Sequence, residues 1–247
     1  MPNWTDNSLK VKGAPERVKD FMEKFKTKGF EAFFPTPEIL FKVDQNEVDK
    51  FLKRIFEIGS MHFAANPTLK KEKNFSEKIE TYEPKNEKEK QIIEVLKTGY
   101  TGWYDFAVSE WGTKWNIDIN CSEFFENTAS FWTAWDPPIP FVQKVSKLYP
   151  ELEFSLWWRN DGENKAKELT FKDGKTIKHN QFFIVTTEDI DFYEEDEEQL
   201  SSLILEAKEI LNKGGTAIID EEEFPPEKMD EALKKLKELI SEEINTK

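Results

Sequence analysis

A chain of 247 residues with 38% apolar and 14% aromatic side chains has enough apolar surface for a folded core, which excludes a wholly disordered protein. No apolar run approaches the ~20 residues of a membrane span, "MPNWTDNSLKVKG" lacks the apolar stretch of a signal peptide, and the one cysteine, Cys121, cannot form an internal disulfide, so the expectation is a soluble cytoplasmic protein. The net charge of −14 is uneven: residues 1–187 carry 29 acidic and 28 basic side chains, residues 188–247 carry 20 and 7, which argues against phosphate binding by the last quarter.

"SLKVKG" alternates Leu9 and Val11 with polar neighbours and predicts a strand. The following "APERVKDFMEKFKTKG" predicts a helix, with Pro15 in its first turn, Gly29 past its end, and Val18, Phe21, Met22 and Phe25 on one face. "FEAFFPTPEILF" reads as a short strand broken by prolines, and residues 45–61 as a second amphipathic helix. Residues 66–90, rich in lysine and glutamate, predict a loop or an inserted helical lid, with a helix restored at Gln91–Lys97 and another over Trp103–Trp111.

"TKWNIDIN" alternates Trp115, Ile117 and Ile119 and predicts a strand; "SFWTAWDPP" predicts another, stopped by two prolines. "PIPFVQKVSKLYP" places Phe141, Val142, Val145 and Leu148 on one helical face, and "ELEFSLWWRN" alternates Leu152, Phe154, Leu156 and Trp158. Strand, helix, insertion, strand, strand, helix, strand is the order of an α+β, ferredoxin-like split βαβ sandwich. A hairpin turning at Asp173-Gly174 follows, then helices over 197–212 and 226–244 around the short strand of "GGTAIIDEEEFPP". The expected organisation is a ferredoxin-like domain over 1–180, with a helical insertion at about 42–110, and an acidic α/β extension over 181–247.

Seven of the eight tryptophans lie between Trp103 and Trp158. Pro2, Asn3 and Trp4, then "WGTKW" at Trp111–Trp115, then Thr133, Ala134, Trp135, Pro137 and Pro138 together resemble the YubB-like (Api-type) ferredoxin-like family over roughly residues 1–160. The resemblance implies that fold and a phage, prophage or plasmid accessory protein acting in a host bacterial cell. It implies no catalytic residue and no cofactor. An iron–sulfur centre needs several thiolates, and the chain has one. After Asn160 the sequence departs from the family pattern.

Little in the residues selects catalysis. His62 and His179 have no elbow glycines, and with Cys121 they lack the spacing of zinc ligands. "DFYEEDEE" has no EF-hand spacing and suits a solvated helix start. The expectation is no enzyme, no metal and no cofactor. The carboxylates Glu194, Glu195, Asp196, Glu197, Glu198, Asp220, Glu221, Glu222 and Glu223 are the candidate partner surface of an acidic protein-binding inhibitor. Its target would be a basic, nucleic-acid-handling defence effector, as for an anti-CRISPR or anti-restriction protein. The alternative is RNA or single-strand binding by a sheet surface of Trp132, Trp135, Trp157 and Trp158. Only Lys114, Lys144, Lys147 and Arg159 are basic between Gly99 and Asn160, which weighs against that alternative. Most of the tryptophans are expected to fill the core or pin connections, with one or two left on the open sheet face and covered there by the insertion or the C-terminal segment.

Overall fold

The computed structural model describes residues 3–56, 73–192 and 197–245. Strand β1 (Trp4–Lys12) buries every second residue, Thr5, Asn7, Leu9 and Val11. Helix α1 (Pro15–Lys28) buries Val18, Phe21, Met22 and Phe25 against it. The helix stops at Gly29, whose φ of 59° is left-handed and whose missing Cβ leaves room for Asn116 and Ile117. The expected strand in "FEAFFPTPEILF" does not form. Two 3-10 turns (Gly29–Ala32 and Glu38–Phe41) take its place, with Pro35 and Pro37, which have no N–H for a ladder, between them.

The insertion is helical: α2 (Gln45–Phe56), α3 (Lys73–Thr81), α4 (Glu87–Lys97) and α5 (Trp103–Glu110). Asn86 caps α4 by accepting the Glu89 N–H at 2.9 Å. The last residues of the expected 45–61 helix, and His62, lie outside the described residues. The remaining elements are β2 (Glu123–Phe124), β3 (Thr128–Ala134), α6 (Ile139–Leu148), β4 (Glu153–Asn160), β5 (Lys165–Lys172), β6 (Lys175–Val185), α7 (Thr187–Phe192), α8 (Glu197–Asn212), β7 (Thr216–Ile219), β8 (Glu222–Phe224) and α9 (Met229–Asn245).

The strands form one sheet in the order β2-β3-β1-β4-β5-β6-β7-β8. β1 lies antiparallel between β3 and β4, with Ser8 opposite Ser130 on one side and Trp157 on the other, so β3-α6-β4 is a split βαβ. With β2 on the outside this is the ferredoxin-like order. The chain is an α+β, ferredoxin-like fold. Its outer strand is not the expected 113–120, where Trp115, Ile117 and Ile119 lie in a loop ending in a 3-10 turn (Ile119–Cys121). The strand on the outer edge of β3 is instead the two-residue β2. The sheet continues antiparallel through β5 and β6, and β7 then joins β6 in parallel after the α7–α8 crossover.

One face of the sheet carries the buried residues. Leu9, Val11, Phe131, Phe154, Leu156 and Phe171 share a cluster with α1, α6 and the insertion. Phe183, Val185, Ala217 and Ile219 share a second cluster with α8 and α9. The register, with Phe154 opposite Phe171 and Lys165 opposite Phe183, puts both clusters on the same side of the sheet. Closely packed phenylalanines contribute to the first cluster; Phe25 and Phe141 stack 5.7 Å apart and Phe30 and Phe141 meet tilted at 4.6 Å, and each such ring contributes about 1.5–3 kcal/mol on burial. The opposite face of β3-β1-β4 has no helix of the two clusters on it. Among the described residues no helix is long and apolar enough to cross a membrane.

Candidate binding site on the open sheet face

Three segments far apart in sequence meet at one corner of this open face. The carbonyl of Asn3 accepts the Trp135 N–H at 2.8 Å. Thr113 donates its hydroxyl to the Ala134 carbonyl at 3.0 Å. Gly112, at φ 85°, sits where a Cβ would strike the Pro140 ring, which lets the loop lie close on the start of α6. Trp111 is the loop's buried anchor, and its indole N–H donates to the Phe34 carbonyl at 3.1 Å. Asn116 ties the other end of the loop to α1, donating to the Lys28 carbonyl and accepting the Phe30 N–H, both at 2.8 Å. Trp115 therefore projects from a loop held at both ends.

Below this corner lies a buried polar network on the helix side of β1. The Asn7 amide donates to the Thr5 carbonyl at 2.8 Å and to Thr133 Oγ1 at 2.9 Å. The Thr133 hydroxyl reaches the Asp136 carbonyl at 2.9 Å, and that of Thr5 the Trp135 carbonyl at 3.1 Å. These bonds hold Trp135 at φ 75°, a left-handed conformation that costs a side-chain-bearing residue about 1–2 kcal/mol. Asn7 Oδ1 is buried with no partner among the described residues.

On the open side the rings form a cleft of about 580 Å³. Trp4, Trp115 and Trp132 are its walls and Ala134 its floor, with Asp118, Cys121 and Asp161 at the rim. Trp4 and Trp115 meet at 6.3 Å with their planes tilted by 42°. Lys114 sets its ammonium 4.6 Å from the Trp115 ring and 5.3 Å from that of Trp135, both within cation–π range. These four rings are 40–49% exposed. A larger cleft of about 750 Å³ beside α1 is edged by Lys12, Lys19, Glu16, Glu23 and other long charged side chains; none of the three tryptophan segments reaches it.

Carboxylates and cations both stand at the corner, but the cleft lining itself holds Asp118 and Asp161 and no lysine or arginine. Asp6 stands between Trp132 and Arg159 in the register. Burial raises its carboxyl above the ordinary value, and Arg159 pulls the other way. The Cys121 thiol is held protonated by its hydrogen bond to the Asp118 carboxylate, which pushes its pKa up. Asp161 follows β4, its N–H donating to the Trp4 carbonyl at 2.9 Å, and its carboxylate makes no hydrogen bond or ion pair among the described residues.

The aromatic residues singled out in the sequence do not all come together. Trp132 and Trp135 are exposed at this corner, and Trp157 lies half-buried on the same face, opposite Ser8. Trp158 is not part of a surface. It is 9% exposed and belongs to the core, because successive strand residues point to opposite faces. More rings are exposed than the one or two expected: Trp111 and Trp158 lie in the core, while Trp4, Trp115, Trp132 and Trp135 are large exposed rings. Residue type alone does not mark Trp4, Lys114, Trp115 and Asp161 as site residues, although the co-occurrence of "MPNW", "WGTKW" and "TAWDPP" points to the first three.

Among the acidic candidates, Asp220, Glu221, Glu222 and Glu223 are exposed around the β7–β8 turn. Glu197 and Glu198 begin α8; Glu194, Glu195 and Asp196 lie outside the described residues. Further along α8, Glu206 and Glu209 face Lys165 at 3.6 and 3.9 Å, so part of the acidic segment is spent on the protein's own lysines. His179 is exposed on β6.

Residues 114–201 match the family model described as the ferredoxin-like domain in Api92-like protein. No curated protein matches the chain. Among solved structures, the crystal structure of a protein api92 from Yersinia pseudotuberculosis aligns with 12% identity and a TM-score of 0.36, covering 73% of this chain and 98% of that one. The family match opens at Lys114, within the loop that builds the cleft. Over residues 114–201 the chain is similar to the ferredoxin-like domain of Api92-like proteins, in agreement with the resemblance carried by its tryptophan segments.

Proposed function

We propose that this protein acts by binding a basic protein partner, without catalysis, and that the open sheet face is the binding surface. The observation that carries the reading is the cluster of exposed tryptophans on the sheet face opposite the helices of the two buried clusters. Large exposed rings cost solvation and are enriched where proteins meet. The chain's charge of −14 steers cationic partners towards it. The role we propose is that of a phage, prophage or plasmid accessory protein that inhibits a nucleic-acid-handling defence effector in the bacterial cytoplasm. The exposed carboxylates of 220–223 would add to the attraction from the far edge of the same sheet.

Direct nucleic-acid binding is the second reading, because sheet-borne rings can stack on bases. The cleft lining opposes it: it has two carboxylates and no cation, the wrong sign for phosphate. The test is expression in bacteria that carry defined CRISPR or restriction systems, followed by phage plating. Restored plating that is lost in Trp132→Ala supports the inhibitor role. Unchanged plating against several effector classes, with the protein well expressed, removes it.

A further inference from the structure

We propose that the cleft between Trp4, Trp115 and Trp132 receives an arginine side chain of the protein partner. The inference rests on the reading of the protein as a binder of basic proteins and names the contact that would anchor it. Three observations carry it. The walls are indole rings, whose faces are negative and attract a cation. The rim holds Asp118 and Asp161, and no lysine or arginine lines the cleft. The nearest cations are already engaged: Lys114 lies over Trp115 and Trp135, and Arg159 faces Asp6. What remains is an aromatic corner with a net negative rim.

Arginine fits this corner better than lysine. A guanidinium is planar, stacks on rings, is weakly hydrated and offers a fork of N–H donors to a carboxylate. Lysine offers a strongly hydrated point charge. The Asp161 carboxylate has its acceptor sites open among the described residues. That of Asp118 already accepts the Asn120 N–H at 3.0 Å and the Cys121 thiol. Asp161 is therefore the principal counter-charge and Asp118 a secondary one. A volume of about 580 Å³ is in the size range of small-ligand sites, which runs to hundreds of Å³, and admits an arginine together with part of its flanking backbone.

The test uses the full chain and two capped peptides identical except for arginine or lysine at the central positions. Binding is followed by indole N–H shifts and by alkylation of Cys121, the chain's one thiol, which sits on the rim. The arginine peptide is expected to shift a subset of indoles and slow alkylation. It should bind about tenfold more tightly than its lysine twin, and Asp161→Asn and Trp132→Phe should each weaken it by about tenfold. Asp161→Asn is isosteric at an exposed site, so it separates binding from folding. Equal binding of both peptides, unaffected by either variant, overturns the arginine site while leaving a general attraction for basic proteins. Indole shifts produced by an oligonucleotide and by neither peptide overturn both this site and the protein-binding reading.

Discussion

The hydroxyl of Thr113 donates to the carbonyl of Ala134 at 3.0 Å, and this single bond joins the loop carrying Lys114 and Trp115 to the strand end carrying Trp132 and Trp135. Both groups are buried. The Ala134 carbonyl also accepts the Asp136 N–H at 3.0 Å, so it keeps a partner when Thr113 is removed. Thr113→Val, close in shape, is therefore expected to lower stability by only about 1 kcal/mol. The larger effect should fall on the site, because the loop carrying Trp115 then loses its tie to β3 and is held through Asn116 at its other end. Urea unfolding and titration with the arginine peptide measure the two effects; equal and small changes in both would mean that the bond does not position the cleft.

Much of the ferredoxin-like frame was legible. Leu9 and Val11 in β1, the face of Val18, Phe21, Met22 and Phe25 in α1, and Phe154, Leu156 and Trp158 in β4 follow the periods that sheet and helix impose. The segment 113–120 misled because Trp115, Ile117 and Ile119 alternate as a strand does. Its polar groups are used elsewhere: Asn116 bonds the end of α1, and Thr113 bonds β3. Alternation describes side chains and does not say whether the backbone finds a ladder. The cleft was hidden for a related reason. A tryptophan count cannot say which face of a sheet lacks a covering layer, and only the register places Trp132 opposite Asp6 and Trp4 opposite Ala134. The parallel pairing of β6 with β7 joins elements separated by two helices, a non-local contact that local pattern does not encode.

Asp6 gives a pH-dependent prediction. Burial, the largest cause, raises its folded-state pKa, and Arg159 only partly offsets this. A carboxyl raised on folding stabilises the protein below its unfolded value of about 3.9, and that contribution is lost as pH rises through the folded value. At neutral pH the charged Asp6 is therefore a net cost. Asp6→Asn is expected to melt higher than wild type at pH 7, and the gap should close as pH falls through the carboxylate range. Thermal melts between pH 7 and pH 4 decide it. A lower melting point for Asp6→Asn at pH 7 would mean that attraction to Arg159 outweighs the cost of burying the carboxylate.

Trp135 stands at φ 75° and yet exposes 48% of its surface, so its strain is not repaid by full burial. Glycine relieves about 1–2 kcal/mol at such a position and gives back about 0.5–1 kcal/mol in unfolded-state entropy. Trp135→Gly should therefore match or slightly exceed wild type in stability. It should also lose one of the two rings over which Lys114 rests, leaving that ammonium to Trp115 alone, and so weaken the arginine peptide. A stability loss beyond about 2 kcal/mol would assign the ring a structural role.

The β7–β8 turn poses the same question for the acidic candidates. Ile219 pairs with Glu222, leaving Asp220 and Glu221 as a two-residue loop with φ of 51° and 68°. Such loops need positive φ at both central positions and favour Asn-Gly. Asp220 has a local reason to be there, since its carboxylate accepts the Thr187 hydroxyl at 3.0 Å and its N–H donates to the Val185 carbonyl at 2.9 Å. No hydrogen bond or ion pair of the Glu221 side chain is present among the described residues. Glu221→Gly should raise stability by about 1 kcal/mol, read as a higher denaturant midpoint at unchanged slope. If the turn attracts a basic partner, the same variant should slow association with the arginine peptide at low salt and make no difference at high salt. If association is unchanged at both, the carboxylates of 220–223 only solvate the hairpin, and the tryptophan corner must carry recognition without them.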